Sequence, residues 1–324
     1  MSTLWDTTGS AVVAALAAER RGGGAVTSGL ALTLVVVVDE HDVAAAEAAG
    51  TVAASKHPMR MLLVIRRQIE LPVPRLDAEV LIGGRLGPGE AVEMRMYGRL
   101  ALHAESVTLP LLASDAPVVT WWYGVPPDQI ANDPLGVFAD RRITDAVRAG
   151  ERVAALRQRA VDYAPGDTDL SWTRITPWRA VLGSAFDTAT GVARSAAVGG
   201  DNTDPSALLL AGWLSSRLGF YVPVELRHGG GVSCVSVAFD DGTTFEALRD
   251  GNRMVLRRAH QSDSVSPFAE RSLGDLLAEE LRRLDADQTY GNALGAVTEL
   301  RGLNDRPATR EHIWSDPALI PAKA

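Results

Sequence analysis

The sequence predicts an α/β protein: an N-terminal, mainly parallel sheet flanked by helices, then a C-terminal α+β domain with an antiparallel meander. Three observations carry that expectation. Residues 118–122, Val-Val-Thr-Trp-Trp, are apolar without alternation, the pattern of a strand buried on both faces. Apolar runs at 30–38 and 59–65 are separated by an alanine-rich stretch, 42–55, long enough for one helix, which makes a strand–helix–strand unit. Beyond residue 220, extended runs are joined by Gly229-Gly230-Gly231, Asp240-Asp241-Gly242 and Asp250-Gly251-Asn252, all of them hairpin chemistry.

Taken in order, the chain opens with a helix capped by Asp6 or Thr8, with Val12, Val13, Leu16 and Ala17 on one face and Gly22-Gly23-Gly24 to end it. The first apolar strand, the alanine-rich helix broken by His57-Pro58, and the strand at 59–65 follow. Further strands are expected at 76–82 and 91–100, around the turn Gly83-Gly84…Gly87-Pro88-Gly89. A helical stretch from about 103 closes near Pro110, and Ser114-Asp115-Ala116-Pro117 turns the chain into the strand at 118–122. Trp121 and Trp122 then point to opposite faces of the sheet and pin helices on both sides. After an irregular loop we expect a short helix at 134–139, a short edge strand at 142–144 and a helix at 147–160. Residues 163–169 are polar and turn-rich, and read as the linker between a first domain, 1–165, and a second, 166–303.

The second domain opens with Trp172, Ile175, Trp178 and Leu182 at helical spacing, broken or restarted at Pro177. Asp204-Pro205 caps a helix reaching Leu218, and strands follow at 221–227, 232–239, 243–249 and 253–258. Ser272 and Asp275 form a capping box ahead of Leu273, Leu276, Leu277, Leu281 and Leu284, which make one apolar helix face. Residues 304–324 are charged and proline-bearing, and a poorly ordered tail is expected there.

Composition bounds the function. A chain of 324 residues, 46% hydrophobic and 22% charged, can bury two cores of ordinary size. The net charge of −8 argues against nucleic acid as a partner, because phosphate binding needs clustered cations. No apolar run, that at 34–38 included, approaches the ~20 residues that span a bilayer, so no membrane role is expected and cytoplasm is the expected location. Cys234 is the only cysteine, which excludes an intramolecular disulfide and a cysteine-based zinc site.

No residue is assigned a catalytic, metal-ligating or cofactor-binding role, and no cofactor is expected. His228-Gly229-Gly230-Gly231 matches an esterase oxyanion loop, but no Gly-x-Ser-x-Gly supplies a nucleophile and a hairpin turn accounts for the glycines. The 83–89 turn lacks the Lys-Ser/Thr of a phosphate-binding loop. Asp39-Glu40-His41-Asp42 is the best metal or acid–base candidate, since open α/β sheets bind ligands beyond the carboxyl ends of their strands. The competing reading, which the sequence favours, is that Asp39 or Asp42 caps the next helix and the other acids are held by its dipole. No glycine fingerprint follows the first strand, so the first domain reads as Rossmann-like without a phosphate loop.

An ordered set of short stretches carries a resemblance. It comprises Leu-Trp-Asp-Thr-Thr (4–8), His-Pro-Met-Arg (57–60), Glu-Ser-Val-Thr-Leu-Pro (105–110), Leu-Pro-Leu-Leu (109–112), Asp-Ala-Pro-Val-Val (115–119) and Trp121-Trp122. Asp-Pro-Leu-Gly (133–136), Arg-Arg-Ile-Thr-Asp-Ala (141–146) and Leu-Ser-Trp-Thr-Arg-Ile-Thr-Pro-Trp-Arg (170–179) complete it. Together they resemble the OpcA family, the glucose-6-phosphate dehydrogenase assembly proteins of actinobacteria and cyanobacteria. The resemblance implies a non-catalytic activator that binds glucose-6-phosphate dehydrogenase and favours its active oligomer or conformation in the oxidative pentose phosphate pathway. The alternative is an enzyme or metabolite-sensing domain acting on a sugar phosphate or nucleotide. Cyanobacterial members also suggest thiol control through thioredoxin. The solitary Cys234 departs from that pattern, because a dithiol switch within the chain needs two cysteines.

Tryptophan and arginine are the usual anchors of protein interfaces. The residues expected to bind the partner are therefore Trp121, Trp122, Tyr123, Arg141, Arg142, Trp178 and Arg179, with the Arg141–Arg142 pair as an exposed docking point.

Overall fold

A computed structural model describes residues 1–22, 29–83, 89–227, 230–259 and 261–308. The first part of the chain forms β1 (Ser2–Leu4), α1 (Gly9–Gly22), β2 (Leu32–Val38), α2 (Val43–Ala54), β3 (Met59–Arg67), β4 (Arg75–Ile82) and β5 (Glu90–Tyr97). It continues through α3 (Arg99–Leu102), α4 (Glu105–Thr108), β6 (Val118–Trp122), β7 (Arg141–Thr144), α5 (Arg152–Asp162) and β8 (Asp167–Asp169). These eight strands make one sheet in the order β1-β4-β5-β3-β2-β6-β7-β8. From β5 across to β8 all neighbours are parallel, while β4 and β1 add an antiparallel edge.

Strands without polar alternation need cover on both faces, and this sheet has it. Leu34, Val36, Trp121 and Tyr123 face α2, whereas Val35, Leu62 and Val64 pack with Val12 and Leu16 of α1. Trp121 therefore belongs to one face, and Trp122 reaches Gly136 on the other. The α/β character read from the sequence holds.

The remainder forms α6 (Leu170–Arg174), α7 (Thr176–Asp187), β9 (Ala193–Gly200), α8 (Pro205–Leu218), β10 (Val224–Leu226), β11 (Val232–Phe239) and β12 (Thr244–Asp250). β13 (Arg253–Arg258), β14 (Ser264–Pro267), α9 (Leu273–Glu280) and α10 (Gln288–Thr298) follow. The second sheet has the order β10-β9-β11-β12-β13-β14, antiparallel from β9 onward, with β10 joined to β9 in parallel. Its inner face, with Val235, Val237, Ala247 and Met254, packs on Leu182 of α7, Leu209 and Leu210 of α8 and Leu294 of α10.

Several expectations need correction. The strand at 141–144 is not an edge, because the stretch expected to be a linker supplies β8 beside it. Asp-Thr-Asp has poor strand propensity; it holds its place through buried hydrogen bonds made by Asp167 and Asp169. The runs at 221–227 and 232–239 do not pair with each other: both flank β9, which the sequence Ala-Arg-Ser-Ala-Ala-Val-Gly-Gly did not announce. Residues 134–139 form turns rather than a helix, and the stretch from 103 is split into short helical pieces. The apolar face of α9 does pack, but against α2 and the first sheet, so the chain returns to its N-terminal half. Gly274 permits that approach, since a Cβ there would lie 2.9 Å from the carbonyl oxygen of Ala49. Expectations for Gly23-Gly24, for 84–88, for His228-Gly229 and for the tail beyond 308 lie outside the described residues.

Candidate functional site

From β2 the chain moves to β3 on one side, and later returns to β6 on the other side of β2. The crevice beyond the carboxyl ends of β2 and β6 is thus the topological switch point, where open α/β sheets bind ligands. A cleft of about 670 Å³ opens there. Asp39 and Asp42 follow β2, Tyr123 to Pro126 follow β6, Thr144 to Ala149 follow β7, and α5 forms the far wall.

Carboxylates dominate the charged side chains of the lining. Asp39, Asp42, Asp128, Asp145, Glu151 and Asp169 stand against Arg148 and Arg159. Asp145 is buried, and burial pushes its pKa above the usual carboxylate range although Arg174 grips it through two hydrogen bonds of 2.6 and 2.7 Å. Asp169 accepts from the Thr144 hydroxyl at 2.7 Å and from the backbone N–H groups of Ala146 and Ser171, both at 2.9 Å, which caps α6. Arg148 lies 3.9 Å above the Tyr123 ring, donates to the Tyr123 carbonyl and sits 3.6 Å from Asp42. Arg159 donates to the carbonyls of Pro127 and Asp128.

Asp39 decides what the crevice can hold. Its Oδ2 would lie 3.3 Å from a Cβ on Gly124, so the side chain reaches across the gap between β2 and β6. A pyrophosphate would need backbone N–H groups at that point, and meets a carboxylate instead. Neither Asp39 nor Asp42 makes a side-chain capping bond, so the helix-capping role expected of them is not realised. Among the described residues no group of three or more His, Cys, Asp and Glu side chains gathers where a metal ion could be held. His57 contacts the Ala278 carbonyl through Nε2 at 2.8 Å, which ties α2 to α9.

Of the seven residues expected to bind a partner only Tyr123 lines the cleft, and six of the seven are interior. Trp121, Trp122, Tyr123, Arg141, Arg142 and Trp178 are buried, and Arg179 is half-buried over the Trp172 ring at 3.6 Å. Arg141 donates to Glu280 of α9 and, at 2.7 Å, to the Asp285 carbonyl; Thr173 donates to the other oxygen of Glu280. Arg142 donates to Asp167 and to the carbonyls of Ala139 and Pro165. The exposure assumed for the arginine pair is therefore corrected: the pair forms a buried seam that fastens β7 to β8 and to the returning α9. Sequence adjacency to a tryptophan cluster marked the core here, not the surface.

Two family models match in tandem. Residues 50–161 match the N-terminal domain of the glucose-6-phosphate dehydrogenase subunit family, and residues 165–294 match the C-terminal domain of the same family. Together they span about three quarters of the sequence. The chain belongs to the OpcA family. Family members are associated by these descriptions with glucose-6-phosphate dehydrogenase as assembly-type subunits. No curated protein matches the chain. Among solved structures, a Sinorhizobium meliloti oxidoreductase is similar at 11% identity and a TM-score of 0.43, over 86% of this chain and 91% of that one. KijD10, a 3-ketoreductase from Actinomadura kijaniata in complex with NADP and TDP-benzene, is similar at 11% identity and a TM-score of 0.44, over 88% and 99%. The dehydrogenase MviM from Clostridium difficile is similar at 7% identity and a TM-score of 0.39, over 85% and 98%.

Proposed function

We propose that this OpcA-family chain is a non-catalytic assembly factor that binds glucose-6-phosphate dehydrogenase and favours its active oligomer or conformation. The tandem family match carries the reading. The crevice is consistent with it: Asp39 stands where a dinucleotide phosphate would bind, and six carboxylates face two arginines. Activation then follows from mass action, because a protein that binds the active state more tightly than the inactive one raises the population of the active state. Cytoplasm is the compartment proposed with that role, and the division near residue 165 into two family domains is proposed with it. Among the described residues no helix is long and apolar enough to cross a membrane.

The deciding experiment mixes the purified chain with the dehydrogenase of the same organism and measures mass and activity together. A complex of defined stoichiometry with raised dehydrogenase activity is the expected result. Absence of a complex at micromolar concentrations, or turnover of glucose 6-phosphate by the chain alone that Asp39→Asn abolishes, overturns the reading.

A further inference from the structure

On the inner face of the second sheet, Val235, Val237, Ala247 and Met254 pack against α7, α8 and α10. Side chains alternate along a strand, so Glu246, Leu248 and Asp250 of β12 stand on the outer face, as do Arg253, Val255 and Arg257 of β13. Leu248 and Val255 are half-buried and belong to none of the three hydrophobic clusters formed by the described residues. Val265 of β14 lies in register with Val255 and is 56% exposed.

Register gives this face a definite charge pattern. Glu246 pairs with Arg257, Leu248 with Val255, and Asp250 with Arg253. Rung by rung, β12 presents acid, leucine, acid, and β13 presents arginine, valine, arginine. All four charges remain open to water. Glu246 and Arg257 stand 3.8 Å apart with side chains 41% and 56% exposed, and Arg257 also donates to Asp263 at 3.4 Å. Asp250 and Arg253 are exposed on either side of the Gly251-Asn252 turn.

Two copies of such a face can stack about 10 Å apart with their strands aligned, and a two-fold axis can be placed in two ways. An axis across the strands lays β12 on β12 and β13 on β13 in reverse. Glu246 would then meet the second copy's Asp250, and Arg257 its Arg253, so like charges would oppose at every charged position. An axis along the strands, between β12 and β13, lays β12 of each copy on β13 of the other. Glu246 then meets Arg257, Asp250 meets Arg253 and Leu248 meets Val255, each contact occurring twice. On that axis β11 lies over β14, which seats the exposed Val265 on Cys234 in the matching rung.

We propose that the outer face of the second sheet binds a second copy of this chain about the axis that runs along the strands. Charge complementarity selects the occupant, because on that axis the face is its own complement. The proposal goes beyond the assembly reading and does not depend on it.

The test is analytical sedimentation of the purified chain across the micromolar range, with thermal melting of each variant. Wild type should sediment as a dimer. Arg253→Glu/Arg257→Glu makes both strands acidic, and Glu246→Arg/Asp250→Arg makes both basic. Each should weaken self-association at least about tenfold, and mixing the two should restore a dimer. The full exchange, Glu246→Arg/Asp250→Arg/Arg253→Glu/Arg257→Glu, keeps every pair within the sheet opposite in sign. It should dimerise with itself like wild type yet exclude tagged wild type, since β12 of one would meet β13 of the other with equal sign. That self-sorting decides the matter should a half-exchange lower the melting temperature. A monomeric wild type, a well-folded half-exchange that still dimerises alone, or a full exchange that pairs freely with wild type overturns the proposal.

Discussion

The buried arginine seam and the outer face of the second sheet each carry a pair of arginines and behave as opposites. At the seam, Arg141 and Arg142 are buried and donate to carboxylates and carbonyls inside the fold. On the outer face Arg253 and Arg257 stand in solvent, and so does Trp5 after β1, although tryptophan normally seeks burial. Tryptophan and arginine mark an interface only where they remain uncovered once the chain has folded. Along the sequence the two cases look alike.

The sharpest way to break this comparison is charge reversal at the seam. Arg142→Glu would leave Asp167 buried without its counter-charge and add a second carboxylate beside it. Breaking a buried pair costs about 3–5 kcal/mol, and reversal should exceed that. We expect the urea midpoint to collapse, with binding lost only as a consequence. A variant that keeps the wild-type midpoint would show that the seam is open to water and restore it as a surface.

Next in size is a matched pair of tryptophan truncations. Trp121→Ala should cost about 3–5 kcal/mol, because its ring is fully buried against Tyr123 at 5.2 Å. Trp5→Ala should stay within about 0.5 kcal/mol, as exposed positions do. Equal losses measured by denaturation would erase the distinction between core and surface.

Much of the fold was legible because its signals are local. Uninterrupted apolar runs gave β2, β3 and β6, and Asp204-Pro205 gave the start of α8, where the Asp204 side chain accepts from Ser206 and Ala207 N–H. What escaped was set by tertiary contact: β8 and β9 have weak propensity and exist because neighbours complete their ladders. The crevice was partly legible, since Asp39 and Asp42 do line it. Their capping role was not, because a cap depends on a rotamer that sequence cannot reveal. The third test uses that contrast. Asp204→Ala should destabilise by about 1 kcal/mol through loss of a buried cap, and Asp42→Ala should leave thermal stability near wild type. Equal shifts in the two melting curves would contradict it.

A last contrast is in pH dependence, at the wall that α5 presents to the 123–140 loop. Asp162 accepts from the Ile130 N–H at 2.6 Å, yet partial burial and the nearby Asp167 carboxylate push its pKa up to about 6 from an ordinary 3.8. The folded chain therefore holds this proton more tightly than the unfolded chain does. Its contribution to stability is complete below about pH 4 and is lost as pH rises through about 6. Asp162→Asn retains an acceptor for Ile130 and cannot ionise. Its stability relative to wild type should rise between pH 4 and pH 7, read as a growing gap between the two urea midpoints. Asp145, also shifted upward by burial, contributes equally to both proteins and cancels in that difference. A gap that is constant with pH would mean that Asp162 ionises in the folded chain as it does in water, and that the loop it holds is open to solvent.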